Sequence, residues 1–259
     1  MANDRKIYIK QKQDFLYTNP TPMPSPVGGY ETGTTFESKT IKTMFDGLLY
    51  PYQYPSFSSF LIVGQSAILE VGDAIAANRT FNWATTQNAN ISPNTISISN
   101  STSGGSLASN IANNGSFVAT HSAISKTAIA TNSFKIQGVN TNNDIFSKTY
   151  TVSWRWRLHF GESVTDTNLS ETDVKALRIN RLDTTFKGTH AFNGGGYKYI
   201  AYPTVWGKIT KFNDAATQLE VPFKKAYSIS ITNAFGISTA YWVHRSVNIL
   251  NGAIKIIIS

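Results

Sequence analysis

Two tryptophans, two arginines and a histidine lie within one sixteen-residue stretch, KTYTVSWRWRLHFGES. Apolar and polar residues alternate strictly from Thr149 to Phe160, which excludes a helix and predicts a long β-strand with one face on a core. We therefore interpret Trp154 and Trp156 as core residues. Arg155, Arg157 and His159 share the opposite face and form a possible surface contact row.

The other residue types that could do chemistry form no recognisable catalytic or metal site. His121, His159, His190 and His244 lack metal-ligand spacing, and we interpret His159 and His244 as surface strand positions. Cysteine is absent, so no disulfide or thiolate is possible. No G-x-S-x-G sequence and no paired carboxylates nominate a hydrolase. We expect no enzyme, no metal and no cofactor.

Carboxylates and glycine-rich runs are weaker candidates. Asp144, Glu162 and Asp166 flank the ends of the long strand, where they could bind calcium. Loop solvation and turn capping explain them more simply. The runs GGSL (104–107) and GGGY (194–197) do not join a strand to a helix, so they predict turns rather than phosphate loops.

Composition limits the partners and the location. The chain has 259 residues and a net charge of +8. This basic excess indicates either a solvated surface or one that meets an acidic neighbouring subunit, and we do not expect nucleic acid as a partner. The N-terminus lacks the apolar run of a signal peptide. No stretch approaches the ~18 apolar residues of a membrane span. We expect synthesis in a cytoplasm and no membrane insertion.

The first 55 residues predict an arm and a junction. Residues 1–26 contain proline at every second position from Pro20 to Pro26, which enforces an extended path. Residues 27–55 contain apolar residues at helical spacing, with Ser38 as a possible cap and Pro51 as the end. The arm residues expected to bind a neighbouring subunit are Ile7, Tyr8, Ile9, Phe15, Leu16 and Tyr17; a disordered tail is the alternative. The apolar helix residues are Ile41, Met44, Phe45, Leu48 and Leu49.

The remaining sequence predicts strands separated by turn-rich segments. Residues 56–163 predict an immunoglobulin- or fibronectin-like β-sandwich, and residues 164–259 predict a second β-rich domain. Ser170 and Asp173 indicate a capping box that opens one short helix. NAFG (233–236) indicates a hairpin turn. We predict an all-β protein with two β-sandwich regions, preceded by an extended N-terminal arm and a short helix.

Several of these segments resemble virion structural proteins of tailed bacteriophages, of the tail and baseplate type. The segments are VGGYETGTTFESKTIKTMFDGLLYPY, FNWATT, NISPNTISIS, YTVSWRWRLHFG, GGYKYIAYP, FNDAATQLEVPF and SITNAFGISTAYWVHRSVNILNGAIKI. The resemblance covers roughly residues 27–259 and leaves the arm outside. It implies a virion component with immunoglobulin-like β domains, located in the virion, and it transfers no functional residues.

Two functions follow as hypotheses. The first is a structural component of the tail tip, baseplate or neck, which acts as an assembly scaffold through contacts with other virion proteins and with copies of itself. The alternative is a host-surface adhesin or carbohydrate-binding module. In that case exposed aromatic residues and the row Arg155, Arg157 and His159 would bind a host-surface glycan.

Overall fold

The computed structural model of the protein describes residues 16–259. Within this range the chain forms nineteen strands and two α-helices, α1 (Ile41–Leu49) and α2 (Glu171–Lys175). The predicted all-β class is confirmed. In chain order the strands are β1 (Leu16–Asn19), β2 (Phe36–Thr40), β3 (Phe57–Ile62), β4 (Ile68–Glu70), β5 (Ala74–Ile75), β6 (Thr80–Thr85), β7 (Ile96–Asn100), β8 (Gly105–Ile111), β9 (Gly115–Val118), β10 (Ile124–Ser125), β11 (Ala130–Val139), β12 (Ile145–Ser163), β13 (Ile179–Asp183), β14 (Gly188–Phe192), β15 (Tyr197–Pro203), β16 (Phe212–Asp214), β17 (Tyr227–Thr232), β18 (Ser238–Arg245) and β19 (Ile254–Ile258).

The chain divides into two compact units between Pro55 and Ser56. In the first unit β1 and β2 form an antiparallel pair. Strand β1 belongs to the predicted arm, so these arm residues pair within their own chain. Ile7, Tyr8, Ile9 and Phe15 lie outside the described residues.

Helix α1 begins one residue after β2 ends. Its N-cap is Thr40, whose hydroxyl accepts a hydrogen bond from the backbone N–H of Thr43 over 3.1 Å. The predicted cap, Ser38, is wrong because the backbone is still part of β2 at that position. The helix ends before Pro51, as predicted, because proline disfavours helical geometry in the residue that precedes it.

The second unit contains a nine-stranded sheet, counted over its described residues. Its order is β17-β18-β15-β12-β11-β7-β8, and both β13 and β4 also pair with β12. Strand β12 is nineteen residues long and pairs with β11 along its first half and with β15 along its second. A three-stranded sheet, β3-β6-β9, packs aromatic side chains against this sheet: Phe81 and Phe134 have ring centroids 5.2 Å apart.

The alternation in β12 places the tryptophans as predicted. Trp154 is fully buried and Trp156 is buried, in one core with Phe81, Phe134 and Ile136. Two further cores lie among residues of the C-terminal half, around Ile200 and Val243. The apolar face of β12 therefore provides central side chains of the first core.

The predicted boundary after residue 163 coincides with the last residue of β12. Residues 56–259 nevertheless form one compact unit. The reason is that β12 pairs with β11, which precedes the predicted boundary, and with β15, which follows it. The immunoglobulin- or fibronectin-like arrangement of each half stays a prediction.

Two local predictions are confirmed. The hydroxyl of Ser170 accepts a hydrogen bond from the N–H of Asp173, whose carboxylate accepts one from the N–H of Ser170, so the capping box of α2 is complete. The turn between β17 and β18 is closed by a backbone hydrogen bond from Asn233 to Ile237 over 3.0 Å. This turn and α2 both contribute to the cleft described next.

Candidate functional site

A cleft of about 450 Å³ opens in the second unit beside strand β12. We call it the β12 cleft. Its polar lining includes Arg157 and His159 of β12, Glu70 of β4, Lys175 of α2, Asn180 of β13 and Asn233 of the turn after β17. Strand β4 pairs in parallel with β12. This pairing brings Glu70 close to Arg157, although the two residues are far apart in the sequence.

An ion pair forms one wall of the cleft. The Nε of Arg157 donates to the Oε2 of Glu70 over 3.0 Å, and its Nη1 donates to the Oδ1 of Asn180 over 3.0 Å. Glu70 is only 5% exposed. A carboxylate buried to this degree needs a charged or hydrogen-bonding partner, so the arginine is held in a fixed position by its neighbours.

His159 is 2% exposed, and its Nδ1 is buried without a hydrogen-bond partner among the described residues. Burial, followed by the positive charges of Arg157 and Lys175, lowers the pKa of His159 to about 4. The imidazole is therefore neutral at pH 7, with one nitrogen able to donate and the other to accept.

Tyr241 of β18 positions this part of the lining. Its hydroxyl donates to the backbone carbonyl of Arg157 over 2.9 Å, and its ring centroid lies 5.8 Å from that of His159. Burial and the nearby Glu70 carboxylate raise the pKa of Tyr241, so its hydroxyl keeps its proton. The tyrosine therefore acts as a rigid support for the strand that carries both cleft residues.

The interpretation of Arg155, Arg157 and His159 as a surface row is wrong in part. His159 is buried and the two arginines are half-buried, because α2 packs against β12 on this side of the sheet. Arg157 and His159 line the β12 cleft, whereas Arg155 does not. His244, also predicted at the surface, is buried with its Nε2 3.1 Å from the hydroxyl of Tyr202.

A second candidate surface lies on helix α1 in the first unit. None of the nine residues of α1, all of them described, is buried. Ile41 is 49% exposed, Phe45 56% and Leu49 66%, while Met44 and Leu48 are half-buried. We call these five residues the α1 face. The other predicted contact residues within the described range, Leu16 and Tyr17, belong to β1.

The carboxylates proposed from sequence as calcium ligands all have other partners. Asp144 accepts from the side chain of Asn140 over 3.2 Å, and Asp166 accepts from Arg245 over 2.6 Å. Glu162 accepts from Arg178 and from the backbone of the loop after β14. In residues 16–259 no group of three or more His, Asp or Glu is arranged to hold a metal ion.

Sequence reasoning missed Glu70, Asn180 and Tyr241. Each lies more than twenty residues away from Arg157, and each becomes a neighbour only through sheet pairing. An isolated glutamate at the end of a short apolar run, AILEV, is the one local signal, because a charge beside buried strand residues requires a partner.

These features define the chain as an all-β protein with a polar cleft in one unit and an exposed apolar helix in the other. A scan against protein-family models finds no match, and searches of curated proteins and of solved structures find none either. Within the described range, neither helix has the length and apolar character needed to cross a bilayer.

Proposed function

We propose that the protein is a structural component of a tailed-phage virion and not an enzyme. It acts as an assembly scaffold in the tail tip, baseplate or neck. The observation that carries this proposal is the exposed α1 face, which lies in a small unit separate from the large β unit. The resemblance of residues 27–259 to phage tail and baseplate proteins supplies the setting.

The exposed apolar surface of α1 is unfavourable in water. A nine-residue helix is marginal in water without tertiary packing, and α1 leaves three large apolar side chains about half exposed or more. Each is already partly buried, so its full burial against a neighbouring copy of this chain would contribute about 1 kcal/mol, roughly half of what a fully exposed side chain gains. Assembly therefore stabilises the helix, and the helix in turn drives assembly.

The test replaces Phe45 and Leu49 together by serine. The matched control is Tyr54→Ser, which removes another exposed large residue of the first unit (65% exposed) that is not on the helix. We expect the double variant to be excluded from particles in a complementation assay, while its β unit keeps the wild-type unfolding midpoint. Tyr54→Ser should be incorporated normally.

A truncation that removes residues 1–15 tests the arm, because it leaves β1 and its pairing with β2 in place. It should give a soluble, folded protein that no longer enters particles, because the arm is the proposed anchor to a neighbour. Normal assembly by the truncated protein would refute the anchoring role. Normal assembly by the Phe45→Ser, Leu49→Ser variant would refute the role of the α1 face.

The β12 cleft favours a second candidate function, carbohydrate binding at the host surface. The cleft combines a buried carboxylate, a fixed arginine and a neutral histidine within one concave site. Adsorption of the isolated protein to host cells would support this candidate, and its absence would count against it.

A further inference from the structure

We propose that the β12 cleft binds a neutral saccharide, one or two sugar rings in size. The inference names a ligand class for the carbohydrate-binding candidate and does not depend on the assembly role. The volume of about 450 Å³ falls within the range of roughly 300–1,000 Å³ that is usual for small-molecule sites.

The first reason is the mixture of donors and acceptors that the cleft leaves unused. Arg157 uses its Nε and Nη1 within the protein, which leaves the Nη2 to donate. Glu70 uses its Oε2, which leaves the Oε1 to accept. The Nδ1 of His159 is buried, so the other ring nitrogen, Nε2, is the one available to a ligand, as a donor or an acceptor according to the tautomer. Hydroxyl groups match such a set, since each donates once and accepts twice.

The second reason is the charge balance, which argues against an anionic ligand. Arg157 is paired with Glu70 at 3.0 Å, and Lys175 is paired with Glu171 at 2.7 Å. Each of the two cations therefore already faces a carboxylate. An added anion would have to displace one of them or lie beside it, whereas an uncharged ligand keeps both ion pairs intact.

The third reason is the apolar part of the lining. Trp156, Ile231 and Ala234 line the same cleft as the polar groups. A sugar ring presents C–H groups on its faces and hydroxyl groups at its rim, so it can use both kinds of lining at once.

The fourth reason is preorganisation. Arg157 is fixed by Glu70 and Asn180 through its side chain and by Tyr241 through its backbone. His159 is buried against the ring of Tyr241. Binding groups that are already held in place lose little conformational entropy when a ligand arrives.

The experiment uses the full chain and measures binding to an array of neutral and acidic oligosaccharides. Saturation-transfer NMR with free glucose, galactose, mannose and N-acetylglucosamine is run alongside it. The blocking variant is Ala234→Trp, which places a large ring at an exposed position of the cleft. Its matched control is Ala77→Trp, at an exposed position that does not line the cleft. A second variant, Asn180→Ala, removes an exposed polar group of the lining.

We expect wild-type protein and Ala77→Trp to bind at least one neutral sugar. Ala234→Trp should lose the signal, and Asn180→Ala should bind about tenfold more weakly, which corresponds to one lost hydrogen bond. The proposal is overturned if no neutral sugar binds, if only acidic glycans bind, or if binding survives Ala234→Trp. None of these results bears on particle assembly, so failure here leaves the scaffold proposal to its own test.

Discussion

The indole Nε1 of Trp154 donates a hydrogen bond to the backbone carbonyl of Asp73 over 2.8 Å. Trp154 has no exposed surface and is paired through its backbone with Ala130 of β11 and Leu69 of β4. A single side chain thus joins the long central strand to the turn that follows β4. That turn directly follows Glu70 in the chain, so the same hydrogen bond also helps to position this residue of the β12 cleft.

Replacement of Trp154 by alanine should lower the free energy of unfolding by about 3–5 kcal/mol. The reason is the cavity left by a fully buried indole, together with the unpaired carbonyl of Asp73. Urea denaturation at pH 7 measures the effect. The control is Ile145→Ala on the same strand, which is 67% exposed and should change stability by no more than about 0.5 kcal/mol. Equal effects of the two changes would contradict the core assignment.

The alternation in β12 was sufficient to predict the strand and the burial of Trp154 and Trp156, because a buried face leaves a direct period-two signal. It could not predict whether the opposite, polar face is exposed or covered by another part of the chain. Polar residues at alternate positions indicate only that the face is not a simple apolar core. Whether α2 covers that face depends on chain segments that the strand itself does not specify, and this is why the burial of His159 was missed.

Gly161 in β12 should not tolerate a larger residue. A Cβ at this position would lie 2.8 Å from the backbone nitrogen of Arg178, which is closer than ordinary contact allows. Gly161→Ala should therefore destabilise the protein by about 1–3 kcal/mol through forced backbone movement. Gly105→Ala is the matched control, since its nearest neighbour would be Ser103 Oγ at 3.7 Å. Thermal unfolding of both variants checks the difference, and a stable Gly161→Ala protein would contradict it.

His159 should make the protein less stable as the pH falls from 6.5 to 4. In the unfolded chain histidine takes up a proton near pH 6.5, whereas the pKa of folded His159 is about 4. The unfolded state therefore binds more protons across this window, and the free energy of unfolding falls with pH. The contribution of this residue is on the order of 3 kcal/mol.

The variant His159→Phe tests this contribution. No described residue forms a hydrogen bond with the imidazole, so the change removes the titrating group without breaking one. Urea denaturation between pH 7 and 4 should show a smaller loss of stability than in the wild type. Asn180→Ala, which alters the same cleft but no titrating group, should keep the full loss. An unchanged pH profile in His159→Phe would show that the buried neutral state is wrong.

The candidate site was harder to predict from the sequence than the fold was. The capping box of Ser170 and Asp173 lies within four residues, so local spacing revealed it. Glu70 and Arg157 are 87 residues apart and meet only because β4 runs parallel to β12. Parallel pairing has no short turn and therefore leaves no local sequence signature, so nothing in the sequence could associate the two charges.

Glu162, the carboxylate at the end of β12, should stabilise the protein above its own pKa and lose this effect in acid. Burial alone would raise its pKa, but hydrogen bonds from the N–H of Gly194, from Arg178 and from the N–H of Asn193 outweigh burial and hold the pKa below its ordinary value. The contribution is complete above the unfolded pKa of about 4.3 and disappears as the pH falls through the lower folded pKa.

Glu162→Gln should cost about 1.5–3 kcal/mol at pH 7, as expected for hydrogen bonds to a charged group, and much less at pH 3. Glu220→Gln, at an exposed carboxylate, is the control and should cost little at either pH. Urea denaturation at the two pH values measures both variants; a cost of Glu162→Gln that is equal at pH 7 and pH 3 would mean that the charge on Glu162 does not hold the loop after β14.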